Sequence, residues 1–445
     1  MWDVDLADLS RYSKENEDYS KWQNYFKKHM TSTSRVVNGK APPKVIPSHR
    51  SVSQPEEPKI ELQMTSEQQS VVERADAKEK RHRSIRRAAG EQIATTKKIR
   101  PTSSIASKTA KVLKLYMQNQ LVSSTNNHYA YKSMMKTLLD YGAGAKSSQM
   151  TSQLFYKDEG EDNDAIETTD CVTGTNYGLI ARGTYIKKSN ELTMSGPLYE
   201  DVFSMKRHLI NGVDLTLKMY RSSPTFCLMS GKANQEYTIE LLDAYLQVCK
   251  LKVNPALILA HNTLFQNNSN ALYPFTKSEV KVNSIPVSQL THTIDNVSNP
   301  IANRYIIAFV ESKSLNGSYD KNPFNFQSSM LKTVSLYVNG VSVRGRPTRA
   351  DDVNSYVNMF DGMGFWRENR GNFISRGEFL VGNALFVFEL EELCGESEYL
   401  NLVKTGNVRL EIEFKAALTK TLSCIILSER NSIIEIDQAR NVFIK

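Results

Sequence analysis

Histidine and cysteine are scarce and scattered in this chain, and long apolar runs are missing altogether. The seven histidines (His29, His49, His82, His128, His208, His261 and His292) form no His-x-His, His-Glu-x-x-His or His-Cys cluster. That removes the patterns by which a metallohydrolase or a metal-holding cupin is recognised. His208 and His261 therefore read as structural residues near strand ends. The five cysteines, Cys171, Cys227, Cys249, Cys394 and Cys424, stand far apart with no Cys-x-x-Cys pair. They offer no zinc framework and fit reduced, mostly buried thiols inside a cell. No run of about 18 apolar residues occurs, and the opening MWDVDLADLS has no apolar signal core, so neither membrane insertion nor secretion is expected. Gly-x-Ser-x-Gly and the Gly-x-x-x-x-Gly-Lys-Ser/Thr loop are also missing, and with them the signatures of a serine hydrolase and a P-loop NTPase. The expectation is a protein that is not an enzyme, with no catalytic, cofactor-binding or metal residues and no small-molecule substrate.

Charge is unevenly placed. Residues 1 to 110 hold 21 Lys and Arg against 14 Asp and Glu, so they carry +7 of the formal +8 of all 445 residues. From 31 to 110 the chain is rich in Ser, Thr, Pro, Lys and Arg and poor in aromatics. Such a composition buries too little surface to offset the entropy of ordering, so residues 21–110 are predicted to be a disordered basic leader. Within it, AKEKRHRSIRRAAGEQIATTKKIR makes Arg81, Arg83, Arg86, Arg87, Lys97, Lys98 and Arg100 the candidate nucleic-acid contacts, by weak, sequence-independent phosphate neutralisation. A plain solvated charge run, with a short exposed helix over Ser66 to Arg87, accounts for the same residues.

Past Lys111 short alternating runs take over. GVDLTLKMY sets Val213, Leu215, Leu217 and Met219 against Asp214, Thr216 and Lys218, and NVRLEIEF sets Val408, Leu410, Ile412 and Phe414 against Arg409, Glu411 and Glu413. Period-two runs are half-buried strands. Others are predicted in EYTIELLDAYLQV, EVKVNSIPV, RYIIAFVES, ALFVFEL, LSCIILSE and SIIEI. Asn339-Gly340 is the strongest hairpin signal, because both residues tolerate positive φ. Many short strands closely spaced predict an antiparallel sandwich or barrel. Two helices interrupt them. NNHYAYKSMMKTLLDYG brings Tyr131, Met134, Met135, Leu138 and Leu139 to one face and stops at Gly142, while DDVNSYVNMFDGMG does so with Val353, Tyr356, Val357 and Phe360 behind an Asp cap. The acidic run DEGEDNDAIE (158–167) reads as a solvated loop rather than a weak cation site. NPFNFQ reads as a strand entering a core on Phe324 and Phe326, with amide partners for Asn325 and Gln327.

Set in register, the two helices align their neighbours. LKLYMQNQLV (113–122) precedes the first and VSLYVNGVSV (334–343) the second, with Leu115-Tyr116 on Leu336-Tyr337. Gly212-Val-Asp-Leu follows the first and Gly406-Asn-Val-Arg the second. Three matches in one order, roughly 195 to 221 residues apart, indicate a duplicated β domain. Strand-like sequence precedes the second hairpin but not the first, so the first domain is predicted to lack its opening strands, leaving an edge unpaired.

Nine stretches carry a family likeness: LVSSTNNHYAYKSMMKTLLDYG, SSQMTSQLFYKDEG, INGVDLTLKMYRS, FCLMS, LILAH, ALYPFTKSEVK, LNGSYDKNPFNFQ, LYVNG and EIDQARNV. Through them residues 112–445 resemble the hexon-type double jelly-roll major capsid protein of Maverick/Polinton DNA transposons and adintoviruses. That resemblance implies two eight-stranded jelly rolls per chain, pseudo-hexagonal trimers and an icosahedral shell. Residues 1–20, WDVDLADLSRYSKENEDY after the first Met, resemble the start of the integrase core of the same elements, with Asp5 in the Trp-x-x-Asp position. One carboxylate cannot carry two-metal strand transfer, and the likeness ends near Tyr19.

The expected fold is all-β: a tandem double jelly roll, the first roll (111–262) incomplete and the second (263–445) whole, with two short helices and a disordered basic N-terminal region. The expected function is self-association into capsid-like shell units, as a homotrimer if the first roll is complete enough. Such a protein would be intracellular, nuclear or cytoplasmic, or packed in a virion-like particle, without membrane contact. The alternative is a nucleic-acid-binding protein acting through the basic leader.

Overall fold

The computed structural model describes residues 100–101, 110–159, 163–164, 166, 175–231, 236–393 and 402–445, all within the compact unit Ala88–Lys445. The integrase-like stretch, most of the basic leader and the helix expected over Ser66 to Arg87 lie outside the described residues.

The described residues form fifteen strands: β1 Arg100–Pro101, β2 Ala110–Met117, β3 Gln120–Ser124, β4 Leu215–Arg221, β5 Leu228–Met229, β6 Ala271–Ile285, β7 Thr291–Ile294, β8 Arg304–Glu311, β9 Leu331–Val338, β10 Val341–Ser342, β11 Thr348–Arg349, β12 Phe386–Glu389, β13 Val408–Phe414, β14 Leu422–Ile436 and β15 Val442–Ile444. The longer helices among the described residues are α1 Tyr129–Asp140, α2 Tyr177–Tyr185, α3 Pro255–Gln266 and α4 Val353–Asp361.

Residues 271–436 form one complete jelly roll. One sheet runs β12-β8-β14 with β6 on the far edge of β14, and the other runs β10-β9-β13-β7, with β11 also on β9. Counting β10 and β11 together, the eight strands in chain order give sheets 1-8-3-6 and 2-7-4-5, every pair antiparallel. This double Greek-key order places strand ends far apart in sequence side by side, as a jelly roll does. The two sheets close on one core. β13 contributes Val408, Leu410, Ile412 and Phe414 from alternate positions, and β8 and β14 add Ile306–Val310 and Cys424–Leu427. LSCIILSE and SIIEI, expected as two strands, are one fifteen-residue strand, β14.

The hairpin is indeed present twice. Gln118 (φ 47°) and Asn119 (φ 64°) turn β2 into β3, and Asn339 (φ 51°) and Gly340 (φ 83°) turn β9 into β10. Two positive-φ residues match the twist of the flanking strands. Leu115 pairs with Leu217 and Leu336 with Leu410, so β3-β2-β4 repeats β10-β9-β13. Even the flanking bond recurs: Gln118 N donates to Asp214 O (3.0 Å) and Asn339 N to Asn407 O (2.8 Å). The glycines aligned in the sequence are one residue out of step, because the strands superpose Leu215 on Val408. Nothing within 4 Å would obstruct a Cβ at Gly340. Gly340→Ala is therefore expected to cost only the left-handed strain of an L-residue, about 1–2 kcal/mol by chemical denaturation.

The copies differ in their cover. In the complete roll β13 has β9 on one edge and β7 on the other, whereas β4 pairs only with β2 among the described residues. Leu215, Met219 and Tyr220 are consequently exposed, which corrects the expectation that GVDLTLKMY is half-buried. Alternation prepared the strand for a second neighbour that the described residues do not supply; on its apolar face only Val213 and Leu217 pack against buried residues. The equivalent residues Ile412 (2% exposed) and Met219 (53%) provide a matched test. Ile412→Ala is expected to cost about 2–5 kcal/mol and Met219→Ala about 0.5 kcal/mol or less, both read from denaturant midpoints.

Both expected helices are present, with two differences. α1 buries Tyr131, Met134, Met135, Leu138 and Leu139, but Gly142 has φ −77°, and the chain leaves the helix through extended Tyr141. α4 is capped by Asp352, which accepts from Asn354 N, but its buried residues are Ser355 and Met359. Tyr356 and Phe360 only flank the core, and Val353 is exposed. α2 and α3 were not expected. EYTIELLDAYLQV, expected as a strand, has neither helix nor strand. NPFNFQ is not a strand either, although Phe324 and Phe326 are buried and Phe326 bridges to Asn383.

Candidate functional site

The chemistry of this chain lies in buried ion pairs between elements. Lys132 and Lys136 stand one turn apart on α1, on the same side of the helix. Lys132 Nζ reaches Asp201 Oδ1 at 2.7 Å, with both side chains at most 5% exposed, and Asp201 Oδ2 accepts from Ser278 N at 2.8 Å. Beside it Glu200 accepts from Ser123 Oγ. Burial pushes the Glu200 carboxyl up to about 7; Lys132 pulls against this and Asp201 adds to it. Lys136 contacts Glu429, which is wholly buried on β14, and Arg304 Nη1 lies 3.6 Å from the other Glu429 oxygen. Arg304 also bonds Glu389 at 3.1 Å. Burial alone would raise the Glu429 carboxyl, yet Lys136 and Arg304 hold it below the usual range. These groups join α1, β8, β12 and β14 by charge.

A second network docks the acidic loop. Arg182 of α2 grips Asp158, whose other oxygen accepts from Asn322 Nδ2 at 3.0 Å. Asp164 accepts from Asn322 N, Lys321 Nζ and Asn325 Nδ2 at 2.8, 3.0 and 3.2 Å. Asp158 and Asp164 thus serve neither a solvated loop nor a cation site: they dock on the NPFNFQ segment, whose Phe324 meets the edges of Tyr131 and Phe226. Lys146 is buried with its Nζ on the carbonyl oxygens of Leu138 and Asn372, and burial, with Lys157 nearby, pulls it down to about 7.

Among the described residues no group of three His, Cys, Asp or Glu is placed to hold a metal, and no helix is long and apolar enough to cross a membrane. His261 sits exposed on α3, not at a strand end, and His208 is exposed in a loop. Cys227 and Cys424 are buried, but Cys249 is exposed; Cys171 and Cys394 lie outside the described residues. So do Arg81, Arg83, Arg86, Arg87, Lys97 and Lys98. Arg100 pairs through its backbone with Met229 in the two-stranded β1-β5 sheet, so the leader is not wholly without structure. Of the buried charges only Asp158, within the acidic run 158–167, was singled out in the sequence, and there as part of a solvated loop. The available signal was a lone Glu in the apolar run of β14 and two lysines on the apolar face of α1.

What remains is apolar surface. From 240 to 252 every residue is exposed, Leu241 at 66% and Tyr245 at 78%, and Leu257, Leu259 and Leu264 of the following α3 are exposed too.

No protein-family model matches the chain. An uncharacterized protein of Caenorhabditis elegans is 25% identical over 353 residues, which cover 77% of this chain and 80% of that protein. Among solved structures, a chain of the Sputnik virophage is similar at a TM-score of 0.43 and 13% identity, covering 78% of this chain and 77% of its own. The mavirus major capsid protein is similar at 0.36 and 10%, with 79% and 80% covered. The Faustovirus major capsid protein is similar at 0.39 and 9%, with 76% and 73% covered.

Proposed function

We propose that this chain is a non-enzymatic, capsid-type structural protein that works by touching copies of itself. The observation that carries the reading is a complete eight-stranded jelly roll preceded by a repeat of three of its strands, in which the β2-β4 ladder keeps the register of β9-β13. A tandem of this kind presents broad sheet flanks, and symmetric self-association buries such flanks without any reactive group. Fold by itself does not decide function; the order of the capsid-family motifs across 112–445 supports the choice.

In this reading 111–262 is the first, incomplete roll and 263–445 the second, and the source is a Maverick/Polinton-type element, with residues 1–20 a remnant of its integrase. The assembled unit is a homotrimer in a virion-like particle within the cell, nuclear or cytoplasmic. Size-exclusion chromatography with light scattering on the full chain tests it. A discrete three-chain species supports the proposal, and a monomer at every concentration overturns it. The charge of the leader favours a second reading, non-specific nucleic-acid binding; affinity that falls steeply with salt and vanishes on deleting residues 70–110 would support it.

A further inference from the structure

The jelly-roll order gives each strand its neighbours. In the complete roll the last strand, β14, carries β6 along one edge over all fifteen residues and β8 along the other from Leu422 to Glu429. Between them Leu422–Glu429 is buried at every position.

In the partial copy the apolar run that follows β4 is Tyr237–Val253, as β14 follows β13. Leu241, Tyr245 and Leu251 fall in one phase of a strand and Leu242, Leu246 and Val248 in the other. A strand apolar on both faces is the kind enclosed on both sides, as β14 is. The entrance is anchored: Tyr237 is buried, its hydroxyl bonds Ser230 Oγ at 2.9 Å, and Arg221 Nη1 donates to Ile239 O at 2.6 Å. Beyond it no strand pairs with the run among the described residues, and its apolar side chains face solvent.

We propose that Tyr237–Val253 is a strand-acceptor site, and that its occupant is a pair of alternating apolar strands from another polypeptide, one along each edge, in the places that β6 and β8 hold beside β14. Main-chain bonds supply affinity in such an addition, and side-chain pairing sets the register. Charge describes the occupant further. Glu236, Glu240 and Asp243 mark the start of the run and Lys250 and Lys252 its end. An antiparallel neighbour with acidic residues in its first third and basic residues in its last therefore meets opposite charge at both ends. The leader fits poorly: it is basic and lacks alternation. The site does not depend on the capsid reading, since it asks only how the last strand of a roll is covered.

Hydrogen exchange read by mass spectrometry on the full chain tests it. The probe is a synthetic fifteen-residue peptide of alternating Val and polar residues, Glu in its first third and Lys in its last. Its control has the two charged thirds exchanged. The probe is expected to slow exchange across 237–253 by about tenfold or more, and the control to do so less. Leu246→Pro removes a backbone donor from an exposed position, so it should leave the thermal midpoint unchanged and abolish the protection. Four results would overturn the proposal: no response to saturating probe, protection surviving Leu246→Pro, protection already present in the chain alone, or protection that rises with protein concentration. The third would mean that the chain covers the run itself, and the fourth that a second copy does.

Discussion

Glu429→Gln is expected to lower stability by about 3–5 kcal/mol, because it leaves Lys136 and Arg304 facing a neutral group in a buried site. Glu429 is fully buried and Arg304 is 2% exposed, so water cannot replace the lost charge. In a domain of this size the melting temperature should fall by roughly 10 °C, measured by calorimetry. Replacing charge with apolar bulk at all three positions, Glu429→Leu with Lys136→Met and Arg304→Met, should recover much of the loss, since a buried ion triad contributes little beyond the penalty of breaking it. The same carboxylate governs acid stability. Its folded value lies below the ordinary 4.5, so its contribution is complete above 4.5 and disappears as pH falls through the depressed folded value. Glu429→Gln should flatten the acid limb of a stability-pH curve.

The second large effect has the opposite sign. Glu200 keeps its proton in the folded protein up to about pH 7 and loses it near 4.5 when unfolded. Its contribution is therefore complete below 4.5, declines as pH rises through that interval and is lost above 7. The gap corresponds to about 3 kcal/mol. Glu200→Gln keeps an acceptor for Ser123 and carries no charge to desolvate. The variant should match the parent near pH 4.5 and exceed it by about 3 kcal/mol at pH 8, read from urea midpoints across the range. A parent whose stability is flat from pH 5 to 8 would refute this account. The summed contribution of these two glutamates is greatest at mildly acid pH, whereas the buried Lys146 ammonium, held down to about 7, works the other way above that pH.

The two carboxylates also show where sequence reading stops. Glu429 lies in an apolar run and Glu200 beside Asp201, and neither position says that α1 will bring Lys136 to the one and Lys132 to the neighbour of the other. Lys136, Arg304 and Glu429 meet across separations of more than a hundred residues. The acidic run 158–167 read as solvated for the same reason, since its partners Asn322 and Asn325 arrive from a distant loop.

Local pattern by itself determined most strands of the complete roll, β7 and β11 excepted, the Asn339-Gly340 turn, the apolar face of α1 and the existence of a repeat. Alternation, glycine and helical periodicity act between residues a few positions apart, and those signals need no third party. Only the tertiary structure decided whether a strand-like run became a strand. NVRLEIEF and EYTIELLDAYLQV carry comparable apolar content, yet β13 lies between β9 and β7 while 240–252 stands exposed. A backbone edge is stabilised by the neighbour that bonds to it, and that neighbour is written elsewhere in the chain or in another one.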